Sequence, residues 1–215
     1  GEDSFSLVQE LDKWKKLFAE KYDGDLNIEE FADNPDLNSV KSSIQSAPFL
    51  SEKRMIIMKN FLSGSKSEAQ AELKDSLESV PESTVMIFAE INPPDKRMSL
   101  FKFLSTNANV YLYAKPKGVQ LSNWLVKRVL FHEGQIDQMS ANYLISILGD
   151  NLWALENETQ KLCLYAQGKI INKEMIDELV NGNVEKSVFT MTDQMARKDH
   201  AGVLKSLREL QKQGE

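Results

Sequence analysis

Over residues 1–114 the chain alternates between short apolar runs and helical stripes, and at Lys115-Pro116-Lys117-Gly118 the alternation stops. The stripes fall at Leu7, Leu11, Trp14 and Phe18, at Leu37, Val40 and Ile44, at Ala69, Leu73 and Leu77, and at Leu100, Phe101 and Leu104. Spacings of three and four place such residues on one helix face. Between the stripes lie Leu26-Asn27-Ile28, Met55-Ile56-Ile57-Met58, Val85-Met86-Ile87-Phe88-Ala89 and Val110-Tyr111-Leu112-Tyr113, all of strand type, with Ser63-Gly64-Ser65 as a loop and Pro93-Pro94-Asp95 as a break. Strands apolar on successive residues are buried on both sides. Their alternation with helices predicts a parallel sheet with helices on both faces.

Beyond Gly118 the period is helical throughout. Leu121, Trp124, Leu125 and Val129 form one stripe, Ala141, Leu144, Ile145 and Leu148 a second, and Leu155, Thr159, Leu162 and Ala166 a third, with Ile176 and Leu179 in a short fourth. Turns at Leu148-Gly149-Asp150 and Gly168-Lys169 join them into a small bundle. After Asn181-Gly182-Asn183, helical spacing resumes from Val184 to Gln213. The expected domains are therefore 1–114, 115–182 and 183–215.

A net charge of −6 argues against a protein that coats nucleic acid by itself, since counterion release needs a basic face. No apolar run approaches a membrane span and no signal-peptide order opens the chain, so the default location is cytoplasmic, with no membrane partner. The one cysteine, Cys163, has no intrachain disulfide partner, and His132 and His200 lack a second ligand at metal spacing, so neither a metal nor another cofactor is expected. The carboxylate pairs Glu29-Glu30 and Glu156 with Glu158 read as solvated faces rather than acid/base partners.

One candidate phosphate cradle exists, at Gly1-Glu2-Asp3-Ser4. A working loop needs a lysine for the terminal phosphates. Here Glu2 and Asp3 stand instead, and each unit charge at ~4 Å would oppose a phosphate by ~4 kcal/mol at an effective dielectric near 20. Acidic residues suit a helix N-terminus, so Gly1, Glu2 and Asp3 read as a degenerate phosphate-loop position. Lys115, Lys117, Lys127 and Arg128 cluster around the domain junction with Trp124 among them. They are either a nucleic-acid contact or a solvated helix face beside a core tryptophan.

Phe49 and Leu50 follow Pro48 side by side. Neighbouring residues point about 100° apart on a helix and to opposite faces of a strand, so the two cannot share one core. They either cap the local core or are left for a partner.

Taken in order, several segments resemble the delta subunit of bacterial DNA polymerase III, the clamp-opening member of the clamp loader. They are Gly1-Glu2-Asp3-Ser4-Phe5, Ala47-Pro48-Phe49-Leu50-Ser51-Glu52-Lys53-Arg54, Asp95-Lys96-Arg97 with Leu100, Lys102 and Leu104, Trp124-Leu125, and the Glu-x-x-Lys-Leu pattern within Leu155-Glu156-Asn157-Glu158-Thr159-Gln160-Lys161-Leu162. The resemblance implies an α/β, AAA+-like parallel-sheet domain with a degenerate nucleotide site, a small helical lid bundle and the start of a helical collar. It implies that the first strand, ahead of Gly1, and most of the collar are missing, so that both ends look trimmed or naturally reduced. It also implies apolar anchors, carried on a helix, that enter a pocket on the sliding clamp and hold the ring open. Those anchors map to Phe49 and Leu50, with Ala47 at a third contact position.

The implied partners are the sliding clamp (beta subunit), the gamma/tau and delta prime loader subunits, and primed DNA within the assembled loader. The implied role is non-catalytic within the DNA polymerase III holoenzyme, without ATP hydrolysis. The alternatives are an active nucleotide-dependent enzyme of the same fold and a nucleotide-independent DNA-binding or assembly module of a AAA+ complex.

Overall fold

Met55-Ile56-Ile57-Met58 forms the buried middle of a central strand in the computed structural model, which describes residues 2–22 and 24–180. The chain divides into two units, residues 1–115 and 116–215. In the first, the elements are α1 (Ser4–Lys21), a single 3-10 turn (Asp25–Asn27), β1 (Ile28–Phe31), α2 (Leu37–Gln45), β2 (Arg54–Lys59), α3 (Phe61–Gly64), α4 (Ser67–Leu77), β3 (Thr84–Ala89) and α5 (Ser99–Asn107). The sheet is parallel throughout, in the order β1-β2-β3. Ile57 stands opposite Glu30 on one side and Ile87 on the other.

Because successive side chains of a strand point to opposite faces, β2 serves two cores. Met55 and Ile57 pack with Leu11 and Phe18 of α1 and with Ala89. Ile56 and Met58 pack on the other face with Val40 and Ile44 of α2, Phe61 and Leu62 of α3, Leu73 and Leu77 of α4, and Leu100 of α5. The stripes read from the sequence are thus the faces these helices bury, and the sheet is covered on both sides as expected.

Three local expectations are corrected. Leu26 and Asn27 lie in the 3-10 turn rather than in a strand, and Leu26 is exposed. Ser63 and Gly64 belong to the short helix α3 rather than to a loop. The buried Glu90 carboxylate accepts from the N–H groups of Leu62 and Ser63 (2.8 and 3.0 Å), and Gln70 Nε2 donates to the Leu62 carbonyl (2.9 Å). These bonds satisfy helix-end groups that a loop would leave to water.

Val110-Tyr111-Leu112-Tyr113 is not a strand: Val110, Tyr111 and Leu112 are exposed. Apolar alternation favours an extended chain, but a strand also needs a hydrogen-bonding neighbour. Among the described residues β3 is bordered only by β2. The segment is held instead by the Tyr111 ring against Trp14, edge-on with centroids 5.4 Å apart, and by the Asp3 N–H donating to the Tyr113 carbonyl (3.2 Å).

In the second unit, α6 (Val119–Phe131), α7 (Gln138–Leu148), α8 (Leu152–Ala166) and α9 (Lys173–Leu179) form the bundle. Leu121, Leu125, Val129, Ala141, Leu144, Leu155, Thr159, Leu162 and Ile176 are buried, so the stripes face inward. The sequence reading missed β4 (Gln135–Ile136) and β5 (Ile170–Ile171), a two-residue parallel pair. Such short strands carry no period to detect. Asp137, Asn151 and Asn172 cap α7, α8 and α9 by accepting backbone N–H bonds. The collar expected over 183–215 lies outside the described residues.

Gly134 sits where α6 turns toward β4. A Cβ there would lie 2.6 Å from Cys163 Sγ and 3.1 Å from Val129 Cγ1. Burial pushes the Cys163 thiol above its ordinary value, with the Glu156 carboxylate adding to the effect, which makes it a packing residue rather than a nucleophile. Gly134→Ala is expected to destabilise the chain by about 1–3 kcal/mol, read as a lowered urea midpoint at unchanged slope. An unchanged midpoint would mean that α8 yields to the methyl group.

Candidate functional site

The segment joining α2 to β2 carries Ala47, Phe49 and Leu50. Helix α2 ends because Pro48 follows closely and disfavours helical backbone at Ala47. The Ser46 N–H turns back to the Ser43 carbonyl (3.2 Å), and Ser46 Oγ donates to the Ser42 carbonyl (2.7 Å). Ala47 is exposed and Pro48 half-buried. Phe49 is 60% and Leu50 85% exposed, so neither caps the local core. The two residues lie in a bend rather than on a helix, which corrects the helical placement implied by the resemblance.

The bend is fastened at several points. The Phe49 N–H donates to Asn27 Oδ1 (2.6 Å), and Asn27 Nδ2 donates to the Phe49 carbonyl (2.9 Å). One amide side chain thus makes both bonds that a neighbouring strand would make. Asn27 is itself only 5% exposed. Ser51 Oγ donates to the Tyr22 carbonyl (3.1 Å), and Lys53 Nζ to the Glu82 carbonyl (2.6 Å). Between these ties Leu50 holds φ +50°, in the left-handed region that costs a non-glycine residue roughly 1–2 kcal/mol.

Behind the bend, Arg54 Nη2 donates to Glu29 Oε2 (2.8 Å) and Ser43 Oγ (2.9 Å), while Ser43 Oγ donates to Glu29. On the neighbouring position of β1, Glu30 pairs with Lys15 (3.0 Å) and Lys59. Burial alone would raise the Glu30 carboxyl, but the two ammonium groups outweigh it and hold it below the ordinary value. Glu29 and Glu30 are therefore braces between β1 and its neighbours. A polar groove of about 420 Å³ beside them is lined by Glu29, Asp36, Ser43, Ser46 and Arg54. Two carboxylates against one already paired guanidinium make it a poor holder of phosphate.

Of the suspected phosphate-loop residues, Gly1 lies outside the described residues, Glu2 is exposed and Asp3 is buried. Asp3 Oδ1 accepts the Ser6 N–H (2.8 Å) and caps α1, in line with the helix-terminus role read from its charge.

Lys115 is half-buried, while Lys117 and Lys127 are exposed. Lys117 precedes α6, and Lys127 lies roughly 12 Å of helix rise beyond its start. Arg128 is engaged internally: Nε and Nη2 donate to the two oxygens of Glu156, which also meets His132 Nε2 at 2.9 Å. The Arg128 guanidinium also lies 4.4 Å from the centroid of the Phe131 ring. Glu156 is thus an internal brace between α6 and α8, not part of a solvated face. Among the described residues no group of three or more metal-ligating side chains gathers.

Sequence reasoning missed Asn27 as a member of this site. The one available signal was a polar residue set between Leu26 and Ile28, which a strand reading absorbs as ordinary alternation.

Comparison with known proteins bears on the whole arrangement. The family model described as DNA polymerase III, delta subunit, matches residues 1–113 of the 215. No curated protein matches the sequence. Among solved structures, the DNA clamp loader delta protein (YqeN) of Bacillus subtilis is similar with a TM-score of 0.71 at 20% identity, over 100% of this chain and 66% of that one. A RuvB variant of Thermotoga maritima is similar with a TM-score of 0.52 at 11% identity, over 79% of this chain and 60% of that one. This chain spans just under two thirds of the length of the clamp loader delta protein. At these identities the structural likeness is one of fold.

The Glu156 brace gives a pH signature. Burial works to raise its carboxyl, but donation from Arg128 and His132 prevails and the group sits below its ordinary value of 4.5. A depressed carboxyl stabilises the fold above its unfolded-state value, and that contribution is lost as pH falls through the folded-state value. Glu156→Gln is expected to melt below the wild type at neutral pH, with the gap closing as pH is lowered from neutrality to well below the ordinary carboxyl value of 4.5. A gap that stayed constant over that range in calorimetric scans would sink this account.

Proposed function

The chain belongs to the DNA polymerase III delta subunit family, and from that premise we propose that it binds the sliding clamp and favours its open state during loading onto primed DNA. The observation that carries the reading is the exposed, backbone-fastened pair Phe49 and Leu50. Large apolar side chains left in solvent while their backbone is tied down are suited to fill a pocket on a partner. Ala47, exposed beside them, leaves room for close approach.

In this reading the protein performs no covalent step. A ring in equilibrium between closed and open states is shifted toward opening only to the extent that the subunit binds the open state better. The anchors supply affinity, and the body of the first unit supplies the discrimination by fitting one state. ATP hydrolysis is not expected of the chain itself, because Asp3 caps α1 where a phosphate loop would need to wrap its ligand. The partners would be the beta clamp, the gamma/tau and delta prime subunits, and primed DNA within the assembled loader, in the cytoplasm. No helix among the described residues is long and apolar enough to cross a membrane. In this scheme residues 1–114 form the clamp-engaging domain and 115–182 the lid, while the collar expected over 183–215 lies outside the described residues.

The DNA-contact alternative rests on fewer charges than the sequence offers, since the Arg128 fork is already engaged by Glu156. Within the second unit any contact would fall to the exposed Lys117 and Lys127.

The test is binding of the purified chain to its cognate clamp by surface plasmon resonance, beside the double variant Phe49→Ala, Leu50→Ala. Full burial of each side chain is worth roughly 1.5–3 kcal/mol, so the double variant is expected to lose at least about a hundredfold in affinity. Equal binding by both would remove the anchor assignment. Absent clamp binding with strong, salt-dependent DNA binding would favour the alternative. ATP turnover by the chain alone would overturn the non-catalytic role.

A further inference from the structure

We propose that Asn27 is the positioning residue that sets the Phe49-Leu50 pair in its projecting conformation. This rests on the clamp-binding role for its consequence, but not for its geometry. The Asn27 side chain is buried, reaches across from the turn before β1, and both accepts from and donates to the backbone of Phe49. Among the described residues no strand borders that stretch of chain, so the amide supplies the two backbone partners that a bend would otherwise take from water.

The next residue shows why such a fastening is needed. Leu50 holds φ +50°, a conformation that an unrestrained leucine leaves. It is held by bonds on both sides: Asn27 on Phe49 immediately before it, and Ser51 Oγ on the Tyr22 carbonyl immediately after it. Backbone held against its preference, at an exposed apolar residue, keeps that residue from folding back onto its own protein. A partner then finds the side chains already extended, and the ordering cost of binding falls.

Asparagine is suited to the position because it presents an acceptor and a donor in one plane. Asn27→Ala removes both bonds. Asn27→Asp is of nearly equal size and keeps the acceptor for the Phe49 N–H, while its carboxylate faces the Phe49 carbonyl without a proton to donate.

The experiment is amide hydrogen exchange on the full chain, with clamp affinity measured alongside. In the wild type, exchange at Phe49 is expected to be slowed relative to a free peptide. In Asn27→Ala it rises to near the free-peptide rate while Ile57, in the middle of β2, stays protected. Affinity for the purified clamp, referred to the folded fraction, falls by about tenfold, as expected for two lost backbone bonds. Should the alanine variant fail to fold, Asn27→Asp is examined in its place, with protection at Phe49 kept and affinity reduced.

Free-peptide exchange at Phe49 in the wild type would overturn the proposal. So would an equal fractional loss of protection at Phe49 and Ile57 in Asn27→Ala, which marks a weakened fold rather than a released bend. Exchange that behaves as expected in a chain that does not bind the clamp would uphold the positioning role and remove the clamp as the partner.

Discussion

The first unit depends on β2 being buried on both faces. Met55 and Ile57 point into the layer under α1, and Ile56 and Met58 into the layer formed with α2, α3, α4 and α5. A strand so enclosed can neither rotate nor slip by one residue, because either would exchange two different sets of neighbours. Each of these side chains contributes roughly 1.5–3 kcal/mol of burial, which gives the register its strength.

That rigidity extends to the bend ahead of β2. Arg54 opens the strand and, through Glu29 and Ser43, ties it to β1 and α2. Asn27, at the foot of β1, holds Phe49 from the other side. The exposed pair thus lies a few residues from the most constrained strand of the unit. The second unit uses a comparable device within itself: Arg128 of α6 and His132 at its C-terminal cap meet Glu156 of α8, and Gly134 allows Cys163 to approach. Charges that look available in the sequence serve there as struts.

The elements legible in the sequence are those in which one local period is enough. The run at Met55 to Met58 and the stripes of α1, α2 and α4 to α8 required no knowledge of partners. Val110 to Tyr113 shows the limit. Its pattern favours an extended backbone, but pairing depends on a neighbouring strand edge, which a local window does not contain. Leu26-Asn27-Ile28 fails for a related reason: alternation cannot tell a strand entrance from a turn whose last residue is committed to a loop 22 positions away. Arg128 and Glu156, 28 positions apart, show the same for charge.

The sequence by itself determined the α/β class of the first unit, the buried stripes of α6, α7 and α8 and the family, because apolar period and short ordered motifs are local properties of the chain. It also left Phe49 and Leu50 with two open fates, core cap or free surface. Tertiary structure alone decided that they project into solvent from a fastened bend, and that Arg128 turns inward to Glu156. Burial and hydrogen bonding are settled by which distant groups arrive at the same place, and that is a property of the packed chain.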